Sequence, residues 1–285
     1  MTENPVRIEY EKNIPNIRLF LDFLQVIEPP IPDSFRWSMS IKDKTYKMQI
    51  AYEDVLRQIP IWQADNEEMK EKGYGSTKEG VILALRYETF LNSIYSLCES
   101  LACLVAAIYL KENLSPHFSK QKKAFLTQKR HVDTEYASIL DSLTWYDEVN
   151  AIRGEATHFL SGFTTISKDG EPGYFNEPKG DRQRTPQKIS LDSVEKHIQE
   201  IFRQVDIFLL RFGDHFIQKI DPNKRMPNMC MLDGKGYVGF RELSINEILN
   251  QKPGICHTPL YQCPIRHSCE AYKATPVIEK REDNE

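Results

Sequence analysis

The segment that decides the fold reads Trp145-Tyr-Asp-Glu-Val-Asn-Ala-Ile-Arg-Gly-Glu-Ala-Thr-His-Phe-Leu160. Thr144 followed by Asp147 is typical of a capping box, so the sequence predicts a helix that begins at Trp145. At about 100° per residue, one arc of this helix is apolar and predicts a core face. That arc consists of Trp145, Val149, Ile152, Ala156, Phe159 and Leu160.

The opposite arc is polar, and it consists of Tyr146, Asp147, Asn150, Arg153, Gly154, Thr157 and His158. Arg153 offers a planar fork of donors that suits phosphate. His158 can move a proton near neutral pH, and Gly154 lets a ligand or another backbone come close. The polar arc therefore predicts a surface that binds an anionic ligand.

Composition and charge exclude several classes of protein. The chain has 285 residues, of which 40% are hydrophobic and 27% charged, as in soluble globular proteins. A net charge of −4 and a pI of about 6.0 argue against a generally basic coat for bulk nucleic-acid binding. The N-terminus is polar with no apolar run after it, so we expect no signal peptide and a cytoplasmic location.

One segment, 90–110, is apolar enough to raise the question of a membrane span. Glu99 lies in its middle among several serines, so we expect a buried central helix and no membrane partner. The six cysteines of a chain without a leader are typical of reduced thiols or metal ligands rather than of a disulfide framework.

Hydrophobic periodicity divides the chain into three predicted domains: an N-terminal helical extension at 1–75, a helical bundle at 76–220 and a Cys-rich tail at 221–285. Prolines predict that the helices of the extension end by Pro60 and that 63–75 is a loop. The bundle has four predicted helices, with a small β-hairpin that turns at Asp169-Gly170. The predicted fold class is mainly α, an antiparallel up-and-down helical bundle with a hairpin insertion.

A basic segment precedes the organising helix and carries no acidic residue between His117 and His131. It permits two interpretations, a solvated helix face or a surface that contacts the phosphates of RNA. Its basic residues are Lys120, Lys122, Lys123, Lys129 and Arg130.

Arg153-Gly-Glu-Ala-Thr-His158 resembles the Arg-x4–6-His signature of the HEPN superfamily, and the resemblance covers roughly 76–220. Some members have a Glu five residues before the Arg, where this chain has Glu148, and a Lys just before it, where this chain has Ile152. Stand-alone bacterial members have a short hairpin between the last helices. The resemblance implies a metal-independent endoribonuclease that acts as a homodimer and leaves a 2′,3′-cyclic phosphate. Members act in defence and toxin–antitoxin systems, which implies an antitoxin or regulatory protein as a further partner.

The residue types of the motif suit such chemistry. His158 can act as general acid or base, and Arg153 can stabilise the charge on the phosphorane oxygens. Asn150 and Thr157, with Glu148 at the position noted above, are candidates for positioning the substrate. Arg153 and His158 lie about 140° apart on one helix, so we expect the partner helix of a dimer to supply the second residue. The alternatives are a non-catalytic HEPN-like module that binds a nucleotide or a protein, and a chance match in which both side chains are structural.

The tail contains soft metal ligands at close spacing, namely Cys256, Cys263, His267 and Cys269, with Cys230 upstream. Thiolates with a histidine suit a four-coordinate structural zinc. The stretch from Cys263 to Cys269 also resembles part of the iron–sulfur loop of endonuclease III-like DNA glycosylases, without the other two cysteines of that loop. The alternative interpretation is a set of half-buried reduced thiols.

Overall fold

The structure is a computed structural model, and it describes residues 15–74, 77–158, 161–176, 189–232, 237–250, 252, 254–256 and 269–274. The side chains at 15–16, 158, 228–232, 237–240 and 274 fall outside that description. The sequence also predicts a short extended segment at 6–10, which lies outside the described residues.

The described part of the chain is mainly α-helical, as the sequence predicted, and it contains two small antiparallel sheets. Its helices are α1 (Pro15–Asp22), α2 (Ser34–Lys72), α3 (Lys78–Ile108), α4 (Phe118–Thr127), α5 (Thr134–Asp141), α6 (Thr144–His158), α7 (Val194–Ile217), α8 (Ile245–Leu249) and α9 (Glu270–Ala274). Short 3-10 helices span Leu24–Val26 and Leu110–Glu112.

Contacts divide the chain into two compact units that do not coincide with the predicted domains. The first unit comprises 1–15 and 35–212, and the second comprises 16–34 and 213–285. Helix α2 therefore lies in the first unit, together with α3 to α6. The boundary falls within helix α7, between Phe212 and Gly213.

Helix α2 corrects the prediction that a helix ends by Pro60 and that 63–75 is a loop. The helix runs through Pro60 and ends at Lys72. A proline inside a helix costs about 3 kcal/mol because it removes one backbone hydrogen bond. Ile59 and Trp62 are buried on either side of it, and burial of two large side chains offsets a cost of that size. Tertiary packing thus decides where this helix ends.

Helix α3 is the central helix of the first unit. By length and composition it could cross a membrane, but half of its most apolar window is buried inside the protein. It also buries polar side chains, Glu88 and Ser100, among apolar ones such as Phe90 and Leu101. Its packing is that of the core helix expected from the sequence.

The predicted hairpin is present between α6 and α7. Strand β1 (Phe163–Ile166) pairs with β2 (Pro172–Asn176) in antiparallel register, with Phe163 opposite Phe175. Gly170 adopts φ +80° in the connecting turn, a conformation that glycine reaches without strain. A third strand, β3 (Ile189–Leu191), adds to β2 and was not predicted.

The second unit contains a sheet that the sequence analysis did not anticipate. Strand β4 (Arg225–Leu232) pairs antiparallel with β5 (Tyr237–Ser244), which pairs in turn with β6 (Ile255–Cys256). Helix α8 follows β5 and begins with a capping box between Ser244 and Glu247. The predicted Cys-rich tail is therefore partly a folded β-structure.

Candidate functional site

Helix α6 contacts α3, and most of the apolar arc predicted from the sequence is buried. Trp145, Val149 and Ile152 are buried, whereas Ala156 is half-buried. Phe159 and Leu160 lie outside the described residues. Tyr146 is a correction, because it is fully buried rather than part of the polar arc. Its ring lies 4.6 Å from that of Phe118 on α4, between centroids, so α4 covers that side of the helix.

Arg153 lies over the surface of α3 and is held there by two contacts. Its Nε donates to Asn92 Oδ1 at 3.3 Å, and its guanidinium carbon lies 4.2 Å from the centroid of the Tyr95 ring. Such cation–π stacking orients a guanidinium plane parallel to a surface. Among the described residues, no acceptor binds its two Nη nitrogens. The arrangement leaves a fixed pair of donors for an anion.

The surface under Arg153 continues along α3 to a histidine that the sequence analysis did not single out. Burial raises the pKa of Tyr95, and the nearby charge of Glu99 raises it further. Glu99 Oε2 lies 3.2 Å from Nδ1 of His117, and its Oε1 accepts from the backbone N–H of Phe118 at 3.1 Å. Glu99 therefore caps helix α4 and orients the exposed ring of His117.

The remaining motif residues fall around this surface. Asn150 is half-buried and Thr157 is exposed. His158 is the last residue of α6, and its side chain lies outside the described residues. A Cβ added to Gly154 would meet no atom within 4 Å, so nothing in the described part of the chain requires glycine in the middle of this helix.

Glu148 pairs not with Arg153 but with a half-buried histidine, His197, on the other side of α6. Its Oε1 lies 3.2 Å from Nε2 of His197, and Nδ1 of His197 lies 3.1 Å from the hydroxyl of Tyr87. Burial lowers the pKa of His197, and the charge of Glu148 opposes that shift. The ring is then neutral at pH 7, with Nε2–H donating to the carboxylate and Nδ1 accepting from Tyr87.

A buried carboxylate, that of Glu88, lies on the same side of α6. Glu88 Oε1 accepts from the hydroxyl of Tyr174 and from the backbone N–H of Gly162, both at 2.8 Å. The rings of Tyr174 and Tyr87 lie 4.7 Å apart between centroids. A Cβ on Gly162 would come within 2.2 Å of Tyr174, so only glycine fits there. These contacts bind the hairpin to α3 and leave the two tyrosines no access to solvent.

An open cleft of about 370 Å³ lies beside Glu148, between α6 and strand β3. Its charged lining consists of Asp147 and Glu148, which pair with Lys122 and His197 respectively. Carboxylates at the mouth of a cleft repel an anionic ligand. Glu148 is accordingly placed to hold His197 rather than to position a phosphate.

The basic segment is divided between surface and interior. Lys120, Lys123 and Arg130 are exposed, and Lys129 donates to the carbonyl and carboxylate of Glu112. Lys122 is a correction, because it is buried. Its Nζ donates to the carbonyl of Leu143 and to Asp147, both at 2.8 Å. A lysine in this position joins α4 to α6 and cannot reach an RNA backbone.

The predicted metal ligands are described only in part. Cys256 lies on β6 and Cys269 immediately precedes α9, and these two elements contact each other. Cys263 and His267 lie outside the described residues, as does the side chain of Cys230 on β4. Within the described ranges, no group of three His, Cys, Asp or Glu side chains could hold a metal ion.

Comparison of the chain with models of protein families, with curated proteins and with solved structures gives no match. The HEPN relationship therefore stays a prediction that rests on the Arg–His motif and its setting.

His197 could have been found in the sequence. It lies three residues after Val194 and four before Ile201, on the buried stripe of α7, where a polar ring requires a partner. Asn92, Tyr95 and Glu99 share one face of α3 at spacings of three and four residues. Nothing local indicates that Arg153 lies over that face, because the contact joins residues 61 positions apart.

Proposed function

We propose that this chain is a metal-independent endoribonuclease of the HEPN type, and that helices α3 to α7 form its antiparallel up-and-down bundle. Arg153 and His158 are its catalytic residues, RNA is its substrate, and a homodimer in the cytoplasm is its active form. An antitoxin or a regulatory protein is a further proposed partner.

The observation that carries the proposal is the fixed orientation of Arg153. Asn92 and Tyr95 hold its Nε edge and its face, while the Nη edge has no acceptor in the described part of the chain. The Nη donors of arginine bind carboxylates and phosphates strongly, often through two parallel hydrogen bonds. Oriented donors without a protein acceptor suit a phosphate whose charge grows during reaction.

The chemistry follows from these two side chains. The 2′-oxygen of a ribose attacks the adjacent phosphorus and loses its proton to a general base, and the bond from phosphorus to the 5′-oxygen breaks. The departing 5′-oxygen takes a proton from a general acid, which leaves a 2′,3′-cyclic phosphate and a 5′-hydroxyl. His158 performs proton transfer, worth about 10²–10⁴-fold, and Arg153 stabilises the pentavalent phosphorus.

Gly154 supports a site built from two chains. A glycine within a helix costs about 1 kcal/mol relative to alanine, and no described neighbour requires it here. In a homodimer, a second copy of α6 related by a twofold axis could approach closely at Gly154, which would explain the glycine at this position. The same arrangement would bring Arg153 of one chain towards His158 of the other.

A labelled RNA incubated with the protein, with and without a chelator, tests the chemistry. We expect chelator-resistant cleavage that yields cyclic phosphates, and loss of that cleavage in Arg153→Ala and in His158→Ala. RNA binding without cleavage would favour the non-catalytic module instead. Absence of both binding and cleavage would overturn the proposal.

Refolding the two inactive variants together tests the composite site. A mixed dimer keeps Arg153 in one chain and His158 in the other, so one site in trans is restored and part of the activity should return. Mixed dimers that form without any recovery would exclude a site of one Arg and one His in trans.

We also propose a structural zinc or iron–sulfur group in the tail, held by Cys256, Cys263, His267 and Cys269. The contact between β6 and α9 supports it, because it places two of these cysteines on neighbouring elements. Elemental analysis of protein purified without added metal should find about one equivalent per chain. Less than a tenth of an equivalent of either metal would exclude it.

A further inference from the structure

A second cleft opens in the first unit, at the N-terminal end of α3. It has a volume of about 250 Å³ and is lined by Trp62, Asp65 and Asn66 from α2, Val81 from α3, and Phe163 and Ile166 from β1. Pockets for drug-sized ligands start at about 300 Å³, so this cleft suits a small planar group rather than a large molecule.

Asn66 is the feature that points to a ligand. The residue is 5% exposed, and its Oδ1 is buried without a hydrogen-bond partner among the described residues. Its amide nitrogen likewise donates to no described residue. A buried polar group without a partner costs about 1–3 kcal/mol, and such groups are uncommon in folded proteins. An amide in the lining of a cleft whose oxygen lacks a partner can be satisfied by a ligand that presents a donor beside an acceptor.

The walls of the cleft suit an aromatic ring. Trp62 forms the base and is almost fully buried, while Phe163 at the rim is 53% exposed. The hydroxyl of Thr164 donates to the carbonyl of Gly80 at 2.7 Å, which fixes β1 against the start of α3. The cleft is therefore preformed, with an exposed aromatic face on which a nucleobase could stack.

The cleft and Arg153 lie along the same face of α3. Val81 at the cleft and Asn92 beneath Arg153 are eleven residues apart, which is three helical turns plus about 20°. At about 1.5 Å per residue, Val81 and Asn92 are separated by about 16 Å along the helix. A stacked single strand spans that distance with about five nucleotides at about 3.4 Å each, and an extended strand spans it with fewer. Leu85 lies between them and is also exposed.

We propose that this cleft binds an adenine base of the RNA within about five nucleotides of the phosphate held by Arg153. The ligand class rests on the function proposed above, although the cleft itself does not depend on catalysis. Asparagine pairs in bidentate fashion with adenine, because Oδ1 accepts from N6–H and the amide N–H donates to N7. Guanine presents two acceptors at the same edge and would leave Oδ1 without a donor.

Nucleoside binding tests the cleft separately from RNA cleavage. Adenosine carries no phosphate, so it should bind without help from Arg153. We expect saturable shifts in the NMR spectrum of the full-length protein on titration with adenosine. Uridine and guanosine should bind about tenfold more weakly or worse.

Three variants locate the binding. Asn66→Leu removes an unpaired polar group at similar volume, so the protein should fold and lose at least about tenfold in adenosine affinity. Phe163→Ala removes an exposed stacking surface and should lose about fivefold or more. Arg153→Ala is the matched control at the other end of the stripe and should bind adenosine like the unaltered protein.

The outcomes separate this inference from the proposed function. Adenosine binding that depends on Asn66 supports the cleft even if the protein cleaves no RNA. Absence of binding, or equal binding by Asn66→Leu, overturns it even if the protein proves to be a ribonuclease. Tighter binding of N-acetylphenylalaninamide than of adenosine would assign the cleft to a peptide and would also overturn it.

Discussion

The two sides of helix α6 carry polar clusters of opposite character. On one side Arg153 lies over Asn92 and Tyr95, and no acceptor among the described residues binds its Nη edge. On the other side a chain of hydrogen bonds runs from the half-exposed carboxylate of Glu148 through His197 to the buried hydroxyl of Tyr87. Helix α6 thus carries a cationic side chain on one side and a hydrogen-bonded carboxylate–histidine pair on the other.

The difference shows how to separate function from structure when both use the same residue types. A histidine beside a carboxylate resembles catalytic machinery, but the tyrosine at the end of this chain is fully buried and no substrate can reach it. The Arg153 side has fewer hydrogen bonds, and within the described residues no acceptor binds the Nη edge. This cluster is the better candidate because those oriented donors can bind an anion.

The largest effect on stability is expected at Lys122. Lys122→Met removes the donor to the carbonyl of Leu143 and to Asp147, so the free energy of unfolding should fall by about 2 kcal/mol. Chemical denaturation of the variant and of the unaltered protein measures this difference in the free energy of unfolding.

Lys123→Gln is the matched control, since Lys123 is exposed on the same helix. It should leave stability unchanged and should reduce the salt dependence of RNA binding. Equal stability of the two variants would contradict the buried position of Lys122.

His197→Gln should change how stability depends on pH. The pKa of His197 is lowered in the folded protein, so the unfolded chain takes up its proton first as pH falls. The contribution of the neutral His197 ring to the free energy of unfolding is therefore complete above about pH 6.5. It is lost as the pH falls from there towards the pKa of the folded state. Denaturation midpoints between pH 7.5 and 5.5 should fall more steeply in the unaltered protein than in the variant. Parallel profiles would show that this ring does not titrate as described.

Gly154→Ala should have a smaller effect, because it should stabilise the isolated chain but weaken the dimer. A better helix former should stabilise the isolated chain by about 1 kcal/mol, because the added Cβ meets no described atom. The same methyl group should weaken the dimer if a second α6 approaches here, and sedimentation at several concentrations would detect the change. A more stable chain with unaltered self-association would place the dimer interface elsewhere.

Hydrophobic periodicity predicted the parts of the fold that one helix face determines. It located α3, α6 and α7 and their buried stripes, and turn chemistry located the hairpin at Gly170. Periodicity failed where contacts between residues far apart in sequence determine the structure. Helix α2, for example, continues through Pro60 because Ile59 and Trp62 are buried. Tyr146 and Lys122 were assigned to polar surfaces for the same reason, because nothing local shows that α4 packs against α6.

The residues of the candidate site likewise include some that the sequence could identify and some that it could not. Residue type and helical position identified Arg153 as a surface donor. They could not identify Asn92, Tyr95 or His117, because those contacts join residues far apart in sequence. Glu148 was grouped with Arg153 because of the family resemblance, whereas five residues along a helix place it on another side, next to His197.

The central claim is that the Arg153 side of α6 is functional and the His197 side is structural. The most direct test compares kcat/KM for cleavage of one labelled RNA by Arg153→Ala and by Tyr87→Phe, each corrected for its folded fraction. We predict a loss of about 10²–10³-fold for Arg153→Ala and a change within about twofold for Tyr87→Phe, which removes only a buried hydroxyl. Full activity of Arg153→Ala, or a comparable loss in Tyr87→Phe, would contradict it.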